Sequence, residues 1–438
     1  MQAQAHAVQT RVVARRVPTA FGVELRPPFF GPGRWVAPLN YATGVREHWI
    51  VPDRVEIHDV TLRDGEQTAR IVFTPDEKVL LAQELDALGV ASIEPGLPAT
   101  PEDREVISTL AGMGLRAKVK PLVRVRDDDV AHAIDSGADA MVLEFGINPY
   151  LLQIVYDTTP EELAARVIEY SKAAGDAGME VEFMGWDTFR IPSLDYLKTF
   201  FSAIVENGTI DRLTVSDTFG MAHPSAIASM FSQLRSWFPG LPLGLHIHND
   251  FGLATSSALM ALTWGASSVH ASVNALGERA GNVATEEVAV GLQYLLGIDA
   301  GIDLARVMRV SRMVAEVAKR PVAANTPIVG THIFELESGI VVHVVTQMRD
   351  SELGEIGFAP YLPELVGQDP ITIIPGRGTG RHSVAALLND LGMSANEEQI
   401  EEISERVKQQ ALILKNGLPL QLFEDIARAV LQTPRTSA

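Results

Sequence analysis

Two histidines, His246 and His248, stand two positions apart at the end of the apolar run Leu241–Leu245. Successive side chains of a strand point to opposite faces, so these two imidazoles would share one face. Paired imidazoles at the end of a strand are either hydrogen-bonded core residues or half of a metal site. Two further polar stretches of the chain favour the metal site.

The further stretches, Thr61–Gln67 and Gly277–Asn282, supply hard oxygen ligands from Asp64 and Asn282. Together with two imidazole nitrogens, these oxygens form a mixed set that suits Mg²⁺, Mn²⁺ or Zn²⁺ with positions left open. Open positions would let a 2-oxo acid chelate the ion, which would polarise the keto carbon. Arg63, beside Asp64, could stabilise the alkoxide that forms, although adjacent Arg and Asp residues also form ordinary surface ion pairs.

These groups need a fold that gathers distant parts of the chain, and from Arg54 onward short apolar runs alternate with helical stretches. Thr74, Thr100 and Thr159 are each followed by Pro and acidic residues, which is typical of a helix start. The predicted strands are Val55–His58, Ser92–Glu94, Ala117–Val123, Ala140–Phe145, Val181–Met184, Arg212–Val215, Leu243–Ile247 and Ser268–Val273. Eight βα units over roughly 250 residues indicate an α/β (β/α)₈ TIM barrel, with a doubly wound parallel sheet as the alternative.

In a TIM barrel the catalytic groups lie at the C-terminal ends of the strands. The polar residues of this chain stand at or just after those predicted ends. They are Arg63, Asp64, Glu94, Arg124, Asp187, Arg190, Thr218, His246, His248 and Asn282. The barrel would therefore bring them to one mouth.

Three regions are predicted along the chain. Residues 1–50 form an N-terminal extension without a clear period, and residues 51–300 form the TIM-barrel catalytic domain. Residues 301–438 form a smaller, mostly helical C-terminal lid, subdomain and helical region, because the alternation of strands and helices stops after Leu296.

The composition limits the possible partners. The 438 residues carry a formal net charge of −19, which argues against nucleic acid and anionic membranes. The chain has no cysteine, which excludes thiolate ligands and a cysteine nucleophile and fits a reducing compartment. No apolar run reaches the length of a membrane span. We therefore expect a cytoplasmic protein that acts on small molecules.

Three stretches, Thr61–Gln67, His246–Ala254 and Gly277–Asn282, together resemble the family of 2-isopropylmalate, homocitrate and citramalate synthases, which also includes the HMG-CoA lyases. The resemblance covers the whole barrel and extends through Val288. It implies a metal-dependent barrel that makes or breaks a C–C bond, and a homodimer whose tail crosses to the partner.

The resemblance also implies roles for individual residues. Asp64, His246 and His248 would bind the metal, with Asn282 in or beside its coordination shell. Arg63 and Glu94 are expected to act in catalysis. The expected substrate-binding residues are Arg63, Arg124, Asp187, Arg190 and Thr218.

The lyases use a cysteine in the loop after strand eight, and this chain has none, so it resembles the condensing branch. There an acyl-CoA, usually acetyl-CoA, is deprotonated at its methyl group and attacks a 2-oxo acid, and thioester hydrolysis drives the reaction. Two alternatives stay open. One is a C–C lyase or aldolase of a 3-hydroxy acid or its thioester, and the other is a catalytically weakened binding paralogue.

The chain departs from the synthases after the barrel. There the family carries a stretch like Phe-Ala-His-Glu-Ser-Gly-Ile-His, whose histidine positions are occupied here by Leu336 and Val341. Neither side chain can move a proton. His343 is the expected acid/base group in their place, with His332 and Glu337 as further candidates.

Overall fold

The structure is a computed structural model that describes residues 19–20, 23–349, 351 and 353–432. The first eighteen residues of the predicted extension lie outside this range. The chain forms two compact units. The larger unit contains Leu39–Ala323 and Pro327–Val329, and the smaller contains the described residues within Met1–Pro38, Ala324–Thr326 and Gly330–Ala438. No helix among the described residues is long and apolar enough to cross a membrane.

The larger unit is built on parallel strands, which we number β1 to β8. They are β1 Glu56–Asp59, β2 Ser92–Ile93, β3 Lys118–Val119 with Leu122–Arg124, β4 Ala140–Gly146, β5 Glu180–Trp186, β6 Arg212–Asp217, β7 Leu243–Ile247 and β8 Ser268–Ala271. The two segments of β3 flank Pro121, which has no backbone N–H to donate. One segment pairs with β2 and the other with β4, while β8 pairs with β1. The ring is therefore closed, so the predicted TIM barrel is confirmed and the doubly wound alternative is wrong.

Helices connect the strands, and the predicted start signals explain where several of them begin. The side chains of Thr74 and Thr159 complete capping boxes, and Thr100 accepts a hydrogen bond from the backbone of Asp103. The helices of this unit with seven or more residues are Pro75–Leu88, Pro101–Gly112, Asp127–Asp135, Pro149–Val155, Pro160–Asp176, Leu194–Asn207, Pro224–Trp237, Ala254–Thr263, Thr285–Gly291 and Val307–Val317.

One part of the barrel interior is polar, whereas TIM barrels usually fill the interior with Val, Ile and Leu. In the strand register Ser92 stands opposite His58, His58 opposite His270, and His270 opposite His246. Glu182 of β5 lies 2.7 Å from His270 Nε2, although β5 and β8 are not neighbours. This contact therefore crosses the barrel and shows that these side chains face inward.

Glu286 is a buried carboxyl group in the helix after β8. Its Oε2 accepts a 3.2 Å hydrogen bond from the backbone of Asn274, and its Oε1 has no partner among the described residues. Burial raises the pKa of Glu286 to about 8. Hydrogen bonds from the backbone lower the pKa, but by less than burial raises it. The group therefore adds stability that is fully present below about pH 4.5 and is lost as the pH rises through about 8.

We expect Glu286→Gln to raise the free energy of unfolding at pH 9 by about 5 kcal/mol and to change it little at pH 5, since the pKa is raised from 4.5 to about 8 and one pKa unit corresponds to about 1.4 kcal/mol. Urea unfolding at the two pH values measures this difference. The neighbouring Glu287→Gln is the matched control. If Glu286→Gln keeps the pH dependence of the wild type, Glu286 is not its source.

The smaller unit joins part of the N-terminal extension to the C-terminal region. A hairpin of Phe30–Gly31 and Arg34–Trp35 bonds to the later chain, because Trp35 N donates to Pro360 O at 2.9 Å and Leu362 N donates to Gly33 O at 2.8 Å. The predicted helical C-terminal region is confirmed. Its helices of ten or more residues are Gly339–Arg349, Arg381–Asp390, Glu397–Leu414 and Leu420–Gln432.

Candidate metal centre and active site

Three predicted ligands converge at and just beyond the C-terminal ends of β1 and β7. His246 Nε2 lies 3.3 Å from His248 Nε2, and Asp64 Oδ2 lies 3.3 Å and 3.7 Å from these two nitrogens. All three side chains are buried. We call Asp64, His246 and His248 the outer cluster.

The donor atoms of the outer cluster fit a divalent metal. Asp64 Oδ1 and Asn282 Oδ1 are buried without a hydrogen-bond partner among the described residues. The amide nitrogen of Asn282 donates to Leu276 O at 2.9 Å, and Asn282 also forms a backbone bridge with His248. Unpaired buried oxygens destabilise a fold unless a ligand satisfies them. The outer cluster could therefore hold a metal ion, with Asn282 at its edge.

Arg63 lies between two carboxylates. Its Nε forms a close ion pair with Glu94, and its Nη1 lies 3.2 Å from Asp64 Oδ2. Nη2 is buried and has no partner among the described residues. The guanidinium group is thus fixed in place while one nitrogen remains able to donate to a bound oxyanion.

The charges of this site favour metal binding. Burial alone would raise the pKa of the carboxyl groups of Asp64 and Glu94. Arg63, however, holds the pKa of Asp64 well below its usual range. Arg63 and His58 likewise lower the pKa of Glu94 to about 2. Burial and the adjacent His246 lower the pKa of His248 to about 4. At neutral pH Asp64 is therefore anionic and His248 neutral, the states that ligate metals.

A second polar group forms around Asp187, which follows β5. Arg190 donates to its two oxygens at 2.7 Å and 2.9 Å, and Asn148 donates to Oδ2 at 2.9 Å. The backbone N–H of Asp187 donates to Thr218 Oγ1 at 2.7 Å. The structure thus brings three predicted substrate-binding residues together. Arg190, whose guanidinium lies 3.9 Å from the ring centre of Phe219, is the cation of this group.

Two other predicted residues have different surroundings. Arg124 forms a bidentate ion pair with Asp129 at 2.6 Å and 3.0 Å, at the start of the helix after β3. His343 lies in the helix Gly339–Arg349 of the smaller unit, where its ring centre is 4.1 Å from that of His382. Both residues stay predicted site residues.

Glu144 was not predicted as a site residue. It belongs to β4, where it stands opposite Met184 and Arg124 in the register. Burial raises the pKa of Glu144 to about 7, with the charges of Glu94 and Asp64 adding to the rise and that of Arg63 opposing it. Alternate residues of a strand share a face, so Glu144 lies on the same face of β4 as Val142. This alternation is the sequence signal that could have identified Glu144.

Comparison with known proteins places this geometry in a family. Residues 54–314 match the family described as HMGL-like, and residues 328–414 match the homocitrate synthase post-HMGL domain-like family. The 2-isopropylmalate synthase of Methanocaldococcus jannaschii is 36% identical over 370 residues, covering 83% of this chain and 69% of that protein. Homocitrate synthase AksA of Methanopyrus kandleri is 36% identical over 359 residues, covering 82% and 88%.

Solved structures show the same fold. Hydroxymethylglutaryl-CoA lyase from Pseudomonas aeruginosa aligns with a TM-score of 0.56 at 20% identity, covering 62% of this chain and 95% of that chain. At this level of identity the likeness concerns the barrel architecture.

Proposed function

Because this chain belongs to the HMGL-like family of enzymes, we propose that it is a divalent-metal-dependent acyltransferase. It would catalyse the Claisen-type condensation of an acyl-CoA, with acetyl-CoA as the expected donor, and a 2-oxo acid. Relatives named as synthases align over more than four fifths of the chain and support condensation. The observation that carries the proposal is the buried outer cluster beside Arg63.

In the proposed mechanism the outer cluster, Asp64, His246 and His248, would hold the ion with Asn282 at its edge. When bound, the ion supplies Lewis-acid polarisation of the keto group. Arg63 donates from Nη2 to the oxygen that gains negative charge as the C–C bond forms. Because Glu94 and Asp64 already hold the guanidinium, little reorganisation is needed.

We propose that Glu94 acts through Arg63. Its Oε1 contacts Arg63 Nε, and its Oε2 lies 3.0 Å from His58 Nε2, so both carboxylate oxygens have partners. In this role Glu94 positions the arginine and moves no proton.

The substrate carboxylate needs a cation in this acidic protein. We propose that Arg190 binds it, since Asp187 and Thr218 fix the loop that carries the guanidinium and the side chain is 45% exposed. Arg63 and Arg124 remain proposed substrate contacts. The homodimer that the sequence resemblance implies also belongs to this proposal.

The condensation requires a base for the acyl methyl group, and we propose His343 because apolar residues occupy the family's histidine positions. We expect His343→Ala to lower thiol release about 10²-fold, which is the usual contribution of a general base. His382→Ala removes the adjacent ring and is the matched control. An unchanged rate in His343→Ala would remove His343 from the mechanism.

The proposed function is tested by thiol release from acetyl-CoA, with Mg²⁺, Mn²⁺ or Zn²⁺, across a panel of 2-oxo acids. The panel includes pyruvate, glyoxylate, 2-oxoisovalerate and 2-oxoglutarate. We expect release with one member of the panel. Cleavage of a 3-hydroxy acid or its thioester without any condensation would overturn the proposal and favour the lyase.

A further inference from the structure

We propose that a second divalent-metal site lies inside the barrel, formed by His58 of β1, Glu94 after β2 and His270 of β8. We call it the inner cluster. It is next to the outer cluster, since the ring centres of His270 and His246 are 5.5 Å apart. The proposal concerns metal binding and stands independently of the condensation reaction.

The inner cluster has the geometry of a ligand set. One ligand atom from each of the three residues lies within 4.8 Å of the other two. His58 Nε2 is 3.0 Å from Glu94 Oε2, and the ring centres of His58 and His270 are 4.4 Å apart. All three side chains are fully buried, and His270 Nδ1 has no partner among the described residues. A buried ring nitrogen without a hydrogen-bond partner is unsatisfied unless a ligand reaches it.

The other ring nitrogen of each histidine is already held. His58 Nδ1 lies 2.7 Å from Ser92 Oγ, and His270 Nε2 lies 2.7 Å from Glu182 Oε1. Metal-binding histidines usually contact an oxygen partner through the nitrogen that does not ligate, which fixes the ring and its tautomer. Both inner imidazoles have this support.

The donor types indicate the metal. Two imidazole nitrogens and one carboxylate oxygen suit Zn²⁺, and Co²⁺ can report on the same geometry.

Two cations stand close to the inner cluster. Arg63 pairs with Glu94, and Lys120 pairs with Glu182. Arg63 contacts Glu94 of the inner cluster more closely than Asp64 of the outer cluster, and Lys120 adds a second cation near the inner cluster. We therefore expect the inner cluster to fill after the outer one as the metal concentration rises.

The test counts metal ions bound to the full-length protein after removal of metal by a chelator and equilibration with Zn²⁺. We expect two equivalents in the wild type, one in His270→Phe, which keeps a ring of similar size, and one in His248→Ala. His332→Ala is the control for adventitious histidine binding, because His332 is exposed and outside both clusters, and it should retain two. With Co²⁺, the absorption bands that His270→Phe removes should differ from those that His248→Ala removes.

Ser92→Ala is a milder variant that decides the question if His270→Phe does not fold by circular dichroism. We expect Ser92→Ala to lower the affinity for the second Zn²⁺ ion 10-fold to 100-fold and to leave the affinity for the first unchanged. One equivalent in the wild type that is lost in His248→Ala and kept in His270→Phe would overturn the inner cluster. Two equivalents that persist undiminished in His270→Phe or Ser92→Ala would overturn it as well. Failure of thiol release with two ions bound would count against the condensation alone.

Discussion

Asp64→Ala should remove one equivalent of bound metal and lower thiol release by about 10³-fold or more. Asp64 is the only carboxylate of the outer cluster, and its loss leaves two imidazoles beside the positive charge of Arg63. A metal that polarises a carbonyl group supplies several kcal/mol of transition-state stabilisation, and about 1.4 kcal/mol corresponds to tenfold in rate. Metal content and initial rates at saturating substrate measure both effects.

The control for this variant is Asp299→Ala, which removes an exposed carboxylate outside the helices and strands. It should leave both the metal content and the rate as in the wild type. A rate for Asp64→Ala within a factor of ten of the wild type would show that the outer cluster is not the catalytic metal site.

Arg63→Lys should lower kcat by about 10²-fold to 10³-fold while the protein stays folded. Lysine keeps the positive charge between Glu94 and Asp64, but it has no planar group that can contact both carboxylates and still present a free N–H. Removal of one preformed oxyanion donor typically lowers kcat by this factor. Steady-state kinetics measure the change, and Arg309→Lys, at an exposed ion pair with Glu84, is the matched control.

Arg63→Leu separates the charge of Arg63 from its catalytic role. Removing the charge leaves two buried carboxylates without their partner, so we expect the free energy of unfolding to fall by about 3–5 kcal/mol. If Arg63→Lys and Arg63→Leu lose the same stability, the charge does not matter to the fold. If Arg63→Lys retains the wild-type kcat, the planar guanidinium group is not required for the reaction.

Much of the barrel was predictable because its signals are local. Apolar runs give the strands, and the Thr-Pro-acid sequences at Thr74, Thr100 and Thr159 give helix starts. The break in β3 was not predicted, although Pro121 is visible in the sequence. The apolar residues on both sides of Pro121 made the run look continuous.

The approach of Asp64 to the two histidines was predicted, since barrel topology alone brings the strand ends together. The polar contacts inside the barrel were not predicted, because they depend on the register between strands. His58 and His270 stand opposite each other only once β8 pairs with β1, and Glu182 reaches His270 across the ring. For Arg124 the position at a strand end predicted a substrate contact. In the structure its guanidinium is paired with the nearby carboxylate of Asp129.

The hairpin Phe30–Trp35 also bears on how the protein is made. It emerges from the ribosome before the barrel, yet its partners Pro360 and Leu362 are synthesised more than 300 residues later. At roughly 5–20 residues per second, the hairpin waits for about 15–65 s before it can pair. The strands of the barrel are all synthesised during that interval. The smaller unit is therefore completed after translation has passed the barrel, and its folding depends on a segment made before the barrel began.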